Sequence, residues 1–84
     1  MPYTQILWDL DTDPDGNVQH IAGHGVSKDE VGQVLASPVA IDVSRSSGLP
    51  IAFGFTTTGR YLAVIYEELD PDTAFPITAY EVPV

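Results

Sequence analysis

Alternating strands and turns fill the second half of this chain, and this pattern constrains the fold more than any other feature. Large apolar side chains alternate with small ones over 51–55, and β-branched and aromatic residues dominate 61–68 and 74–82. Turn sequences rich in glycine, proline, threonine and aspartate separate these stretches at hairpin spacing. We therefore expect a three- or four-stranded antiparallel meander, in which 39–44 supplies the fourth strand at an edge.

A strand and two short helices are predicted before the meander. The stretch 3–8 is β-prone and ends at an acidic loop, whereas 17–22 carries apolar residues at the i, i+3, i+4 spacing of a helix. Ser27 and Glu30 have the spacing of a capping box that opens the second helix. Pro38 ends that helix two residues earlier, because the residue before a proline avoids helical geometry.

The expected fold class is α+β: an N-terminal strand, two helices, then the meander, with the helices packed on one face of the sheet. The 84 residues suffice for a single domain. A chain of this size buries only about 60 to 65% of its unfolded surface, so a partner or a homodimer is expected to add stability. The sequence holds no apolar run of about 18 residues and no signal peptide, which predicts a cytoplasmic protein that does not enter membranes.

Acidic residues outnumber basic ones by 12 to 3, which gives a formal net charge of −9. Such a charge repels nucleic-acid phosphates and anionic lipid, and it favours a basic or cationic partner. The acids are concentrated in two runs, 9–15 and 67–72, and the rest of the chain is close to neutral. RNA binding on a neutral or basic face is therefore disfavoured but stays open.

Two patterns suggest metal binding, and both are incomplete. The alternate aspartates and the glycine of 11–16 match the first half of an EF-hand loop, but the twelfth position is Ala22 instead of glutamate. His20 and His24 are four residues apart without a recognisable third ligand. Because a solvated acidic loop and a helix-terminal histidine explain these residues more simply, we expect no metal and no other cofactor.

Arg60 is the basic residue best placed for chemistry, since it follows a tight Thr-Gly turn and enters an apolar strand. A guanidinium in such a place can hold a phosphate with two hydrogen bonds and stabilise the negative charge that develops as a phosphodiester is cleaved. The alternative is a structural ion pair with Glu67, Glu81 or the acidic loop. Arg45, among serines, is open to the same two interpretations.

Aromatic side chains are expected to form the core of the small sheet, because base stacking requires rings exposed beside positive charge. They are Trp8, Phe53, Phe55, Tyr61, Tyr66 and Phe75. Tyr80 is the exception, since it comes late in the last strand and its hydroxyl needs a hydrogen-bond partner.

A series of short motifs runs through the chain in a recognisable order. They are Trp8-Asp9, Asn17, His24-Gly25-Val26-Ser27, an acidic helix ending at Pro38, Thr57 with Gly59-Arg60, and Ile77-Thr78-Ala79. With its motifs in this order, the chain resembles a divergent member of the BrnT-like toxins of bacterial type II toxin–antitoxin systems. The resemblance implies a fold similar to the RelE-type ribonucleases and an antitoxin partner that neutralises the toxin.

The resemblance also implies roles for three residues. His24 matches the family's histidine before Gly-Val, and Arg60 matches its arginine after glycine. In this interpretation Arg60 holds the scissile phosphate, and His24 or Tyr80 moves the proton without a metal ion. Tyr80 itself stands where the family typically has an arginine, which weakens the attraction for RNA.

Two main functions therefore stay open. The first is a toxin-like ribonuclease that an antitoxin neutralises. The second is a non-catalytic acidic interaction module that keeps the toxin fold and pairs with a basic partner, and the net charge favours it. A calcium-responsive acidic domain is a third, weaker hypothesis.

Overall fold

Two helices and five strands form the part of the chain that the computed structural model describes, residues 3–83. The elements are β1 (Gln5–Ile6), α1 (Asn17–Gly23), α2 (Lys28–Ala36), β2 (Ala40–Val43), β3 (Pro50–Phe55), β4 (Tyr61–Asp70) and β5 (Thr73–Glu81). The predicted α+β class is confirmed. Within residues 3–83, no helix has the length and apolar composition that crossing a membrane requires.

The five strands form one mixed sheet with the order β1-β5-β4-β3-β2. The strands β2 to β5 pair antiparallel with their neighbours in the chain. The short strand β1 instead pairs parallel with β5, with Gln5 opposite Thr73. The last strand of the sequence therefore lies inside the sheet, between β1 and β4.

The predicted capping box at the start of helix α2 is confirmed. The Ser27 hydroxyl accepts a hydrogen bond from the Glu30 amide at 3.2 Å, and the Glu30 carboxylate accepts one from the Ser27 amide at 3.0 Å. These contacts satisfy amides that the first turn of a helix leaves unpaired. The helix ends at Ala36, two residues before Pro38, as predicted.

Helix α1 has no cap from its own flanking residue, Gly16. The Asp9 carboxylate accepts a hydrogen bond from the Asn17 amide at 2.9 Å, and the Asn17 side-chain oxygen accepts one from the Asp9 amide at 2.9 Å. The Asn17 side-chain nitrogen also donates to the carbonyls of Leu7 and Pro76, at 3.2 and 2.9 Å. This buried residue therefore joins the segment after β1, helix α1 and strand β5.

The hydrophobic core joins residues of both helices to alternate residues of the sheet. Leu62, Val64 and Tyr66 of β4 belong to it, and alternation along a strand sends these three side chains to the same side. Their helix partners in the core are Ile21, Val31, Val34 and Leu35. Gly54 of β3 permits the close approach of α2, since a Cβ there would lie 3.2 Å from Cγ1 of Val34.

A tyrosine pair closes one end of the core. The Tyr3 hydroxyl donates to the Glu68 carboxylate and lies 3.1 Å from the Tyr66 hydroxyl, and the two rings meet edge to face. Burial, followed by the hydrogen bond to Glu68, raises the pKa of Tyr3 above its ordinary value. Both hydroxyls thus have partners inside the domain.

The expectation that the aromatic residues form the core is wrong for Phe55, whose side chain is 50% exposed. Tyr66 belongs to the core and Trp8 packs against it, but Phe53, Tyr61 and Phe75 lie outside that cluster. The physical reason is strand alternation. Tyr61 comes directly before the core residue Leu62 and pairs with Phe55, so both rings point to the opposite side of the sheet.

Candidate functional site

The guanidinium of Arg60 is enclosed by two carboxylates and a carbonyl. Its Nη1 lies 2.8 and 2.6 Å from the two carboxylate oxygens of Glu30, and 3.1 Å from the carbonyl oxygen of Gly25. Its Nε and Nη2 lie 3.3 and 3.2 Å from the Glu81 carboxylate. The ion pair with Glu81, which the sequence offered as the alternative to a phosphate site, is therefore present.

A tight turn places Arg60 directly before β4. The Thr56 hydroxyl accepts a hydrogen bond from the Arg60 amide at 3.1 Å, and the Thr56 amide donates to the Arg60 carbonyl at 2.8 Å. Gly59 has a φ of +88°, a left-handed conformation that glycine adopts without strain. The turn therefore fixes the backbone from which the arginine reaches helix α2.

Charge pairing shifts the pKa of both main partners. Burial opposes the charged form of Glu30, but hydrogen bonds from the Ser27 amide and from Arg60 outweigh it and lower the pKa of this carboxyl. The hydrogen bond to Glu30 outweighs burial for Arg60 and raises the pKa of its guanidinium. Both groups are therefore held in their charged forms.

Glu30 is the residue that sequence reasoning missed at this site. It was interpreted only as the second half of a capping box, and one carboxylate performs both tasks. The signal available in the sequence was a carboxylate at the start of a helix, which says nothing of a contact with a residue 30 positions away.

His24 lies at the end of α1, where its amide donates to the Ile21 carbonyl at 3.0 Å. Its exposed ring meets the ring of His20 edge to face, with centroids 5.2 Å apart. Because the Arg60 guanidinium contacts the carbonyl of Gly25, the turn that follows His24 lies beside Arg60. The structure thus brings these two predicted residues into one region through the backbone.

Tyr80 lies on the other side of the sheet from Arg60. It pairs with Ala63 in β4, whereas the next residue, Glu81, reaches Arg60. Neighbouring residues of a strand point to opposite sides, so the Tyr80 ring is separated from the other two candidates by the sheet. The three predicted site residues are therefore not brought together.

An apolar surface covers the side of the sheet opposite to the core cluster. We call it the aromatic face, and its residues are Ile51, Phe53, Phe55, Tyr61, Ala63, Ile65 and Tyr80. The Phe53 and Tyr61 rings stack with centroids 6.1 Å apart, and Phe55 lies 4.7 Å from Tyr61. Phe55 and Tyr80 are 50% and 37% exposed, so rings are accessible to a partner.

Acidic side chains lie beside the aromatic face at one end. Asp42 of β2 is opposite Ile51, and Glu67 of β4 is opposite Phe75; both acids are exposed. Two of the basic residues are paired elsewhere, Lys28 with Asp11 at 3.1 Å and Arg60 with Glu30 at 2.6 Å. Arg45 lies in the connection after β2, three residues beyond Asp42 and at the same end of the sheet.

A cavity of about 420 Å³ lies between the acidic loop and β5. Its lining includes Asp9, Asp15 and His20 from the loop and α1, and Phe75 and Ile77 from β5. In the described part of the chain, no three histidine, aspartate or glutamate side chains are grouped so as to hold a metal ion. The Asp13 carboxylate accepts a hydrogen bond from the Asp15 amide at 3.0 Å, so the loop folds back on itself.

Comparison with known proteins gives no match to a family model, to a curated protein or to a solved structure.

Proposed function

We propose that this chain is a non-catalytic acidic interaction module that binds a basic protein partner. The observation that carries the proposal is the environment of Arg60, the cation on which phosphate chemistry would depend. Glu30, Glu81 and the Gly25 carbonyl take up nearly all of its N–H donors. A phosphate would have to displace a carboxylate that helix α2 already holds in place.

The remaining charges also favour a basic partner over RNA. The net charge is −9, and two of the three cations, Lys28 and Arg60, are already in ion pairs. A surface of this kind attracts basic proteins at long range and repels phosphate backbones.

The proposal includes an arrangement in which both helices cover one face of the sheet, as the resemblance to RelE-type folds implies. Core contacts support it, because Ile21 of α1 and Val34 of α2 belong to the same cluster as Leu62 and Val64. The opposite face is then free of helices and offers apolar area to a partner.

The second candidate is a toxin-like ribonuclease neutralised by an antitoxin. One observation favours it: the 3.1 Å contact between Arg60 and the Gly25 carbonyl places the turn after His24 beside the guanidinium. In this candidate Glu30 releases Arg60 to the scissile phosphate and His24 moves the proton, without a metal ion. Tyr80 takes no part, because it lies across the sheet.

Inducible expression of the chain alone in bacteria separates the two candidates. Growth and total RNA integrity are followed for the native chain, Arg60→Ala, His24→Ala and the control Arg45→Ala, with soluble protein checked in each case. The interaction module predicts normal growth and intact RNA throughout. Growth arrest with RNA breakdown that disappears in His24→Ala but not in Arg45→Ala would overturn it in favour of the ribonuclease.

A further inference from the structure

We infer that the aromatic face is the docking surface for an amphipathic helix of the partner, with lysine or arginine over Asp42 and Glu67. The inference rests on the proposed function, because it names the surface and the partner chemistry of the same module.

The length and width of the aromatic face match those of a short helix. Its side chains, together with Thr78, form three rows across the sheet: Phe55–Tyr61, Phe53–Ala63–Tyr80 and Ile51–Ile65–Thr78. Successive rows are two residues apart along the strands, so the three rows span about 13 Å. Strands β3 to β5 add about 10 Å of width, which matches the diameter of a helix with its side chains. Two to three helical turns therefore cover the face.

The apolar area of the face that a partner can contact belongs to its rings. Ala63 is fully buried between Phe53 and Tyr80, so these neighbours already cover the small side chain of the middle row. Phe55 and Tyr80 are 50% and 37% exposed and supply most of the accessible apolar area. An apolar sheet face is commonly covered by a layer of helix.

The charges around the face select the partner. Asp42 lies beside the Ile51 row and Glu67 beside Phe75, at the same end of the sheet, and both are exposed. A partner helix with basic residues at that end gains charge complementarity. A second copy of the chain would bring together two chains that each carry a net charge of −9. A stacked RNA strand needs several cations beside the rings. Arg60 and Lys28 are paired elsewhere, which leaves Arg45 in the connection after β2.

The test uses the full chain and a labelled synthetic peptide of leucine and lysine, about 14 residues or four turns long. Leucines at i, i+3, i+4 and i+7 give it one apolar side, and a peptide with the same leucines scattered around the helix is the control. Binding is measured by fluorescence anisotropy at low salt. The variants are Phe55→Ser, Tyr80→Ser and the matched control Leu10→Ser, which changes a 76% exposed apolar residue of the acidic loop.

Phe55→Ser and Tyr80→Ser are each expected to weaken binding of the amphipathic peptide about tenfold, while Leu10→Ser changes it less than about twofold. The double variant Asp42→Asn with Glu67→Gln is expected to weaken binding and flatten its salt dependence, whereas Asp29→Asn on helix α2 is not. Circular dichroism of each variant shows that the fold is kept.

Each contrary outcome has a distinct meaning. Equal binding of both peptides, unaffected by Phe55→Ser, would overturn the docking surface and leave the acidic module in place. Binding of neither peptide would also overturn it, and RNA breakdown on expression would then remove the proposed function as well. Binding of a labelled oligouridine that Phe55→Ser abolishes would assign the face to RNA instead.

Discussion

Replacement of Asn17 by alanine removes three hydrogen bonds from the junction of the N-terminal segment, helix α1 and strand β5. The lost bonds are those to the Asp9 amide and to the Leu7 and Pro76 carbonyls. Asn17 is 5% exposed, so water cannot simply replace the side chain. At about 1 kcal/mol for each bond, the variant loses about 3 kcal/mol of unfolding free energy.

This loss is large for so small a domain. A chain of this length has a total stability on the order of 4 to 13 kcal/mol. A change of about 3 kcal/mol corresponds to a fall in Tm of roughly 12 to 24 °C. Thermal unfolding followed by circular dichroism, together with urea titration of Trp8 fluorescence, measures both quantities.

Gln19→Ala is the matched control for Asn17→Ala. Gln19 is also an amide on α1, but it is exposed, and its side-chain nitrogen donates a hydrogen bond to the Asp11 carbonyl at the surface. Loss of the Gln19 side chain is expected to lower the free energy of unfolding by no more than about 0.5 kcal/mol. If Asn17→Ala unfolds within a few degrees of Gln19→Ala, then Asn17 does not join the three segments energetically and the reasoning is refuted.

Three further predictions concern a glycine of β3, a glycine of α1 and the Glu30 carboxylate of α2. Gly54→Ala is expected to lower the free energy of unfolding by about 1 kcal/mol or more, because its Cβ would lie 3.2 Å from Val34. Gly23→Ala, at an open helical position, is expected to raise the free energy of unfolding by about 0.5 to 1 kcal/mol. Chemical denaturation of both variants checks these opposite signs. The lowered pKa of Glu30 means that its carboxylate contributes stability above the ordinary glutamate pKa and that this contribution is lost as pH falls through the lowered pKa. The Tm difference between the native chain and Glu30→Gln should therefore shrink in acid, and a difference that stays constant down to the lowest accessible pH would contradict this assignment.

Local signals predicted the elements well, because short-range chemistry determines them. The capping box of Ser27 and Glu30, the end of α2 before Pro38 and the hairpin strands all depend on neighbours in the sequence. The parallel pairing of β1 with β5 joins residues far apart in the chain, and no local pattern specifies it. The N-terminal strand was therefore predicted without its partner.

The candidate site was predictable only in part for the same reason. The sequence identified Arg60 and named Glu81 as a possible ion-pair partner, but Glu30 had already been assigned a local role. Alternation indicates that Phe53 and Phe55 point to the same side of the sheet, yet it does not say on which side the core cluster forms. The side on which the core forms decides whether the rings are buried or exposed.

The position of β5 between β1 and β4 has a consequence for synthesis on the ribosome. Gln5 pairs with Thr73, which lies 68 positions later in the chain, while Ala79 completes the core beside Val64. The nascent chain therefore contains β1 and the β3–β4 hairpin without their shared neighbour until β5 has emerged. Since β5 supplies the neighbour of both β1 and β4, the sheet cannot be completed while the first four strands are being made.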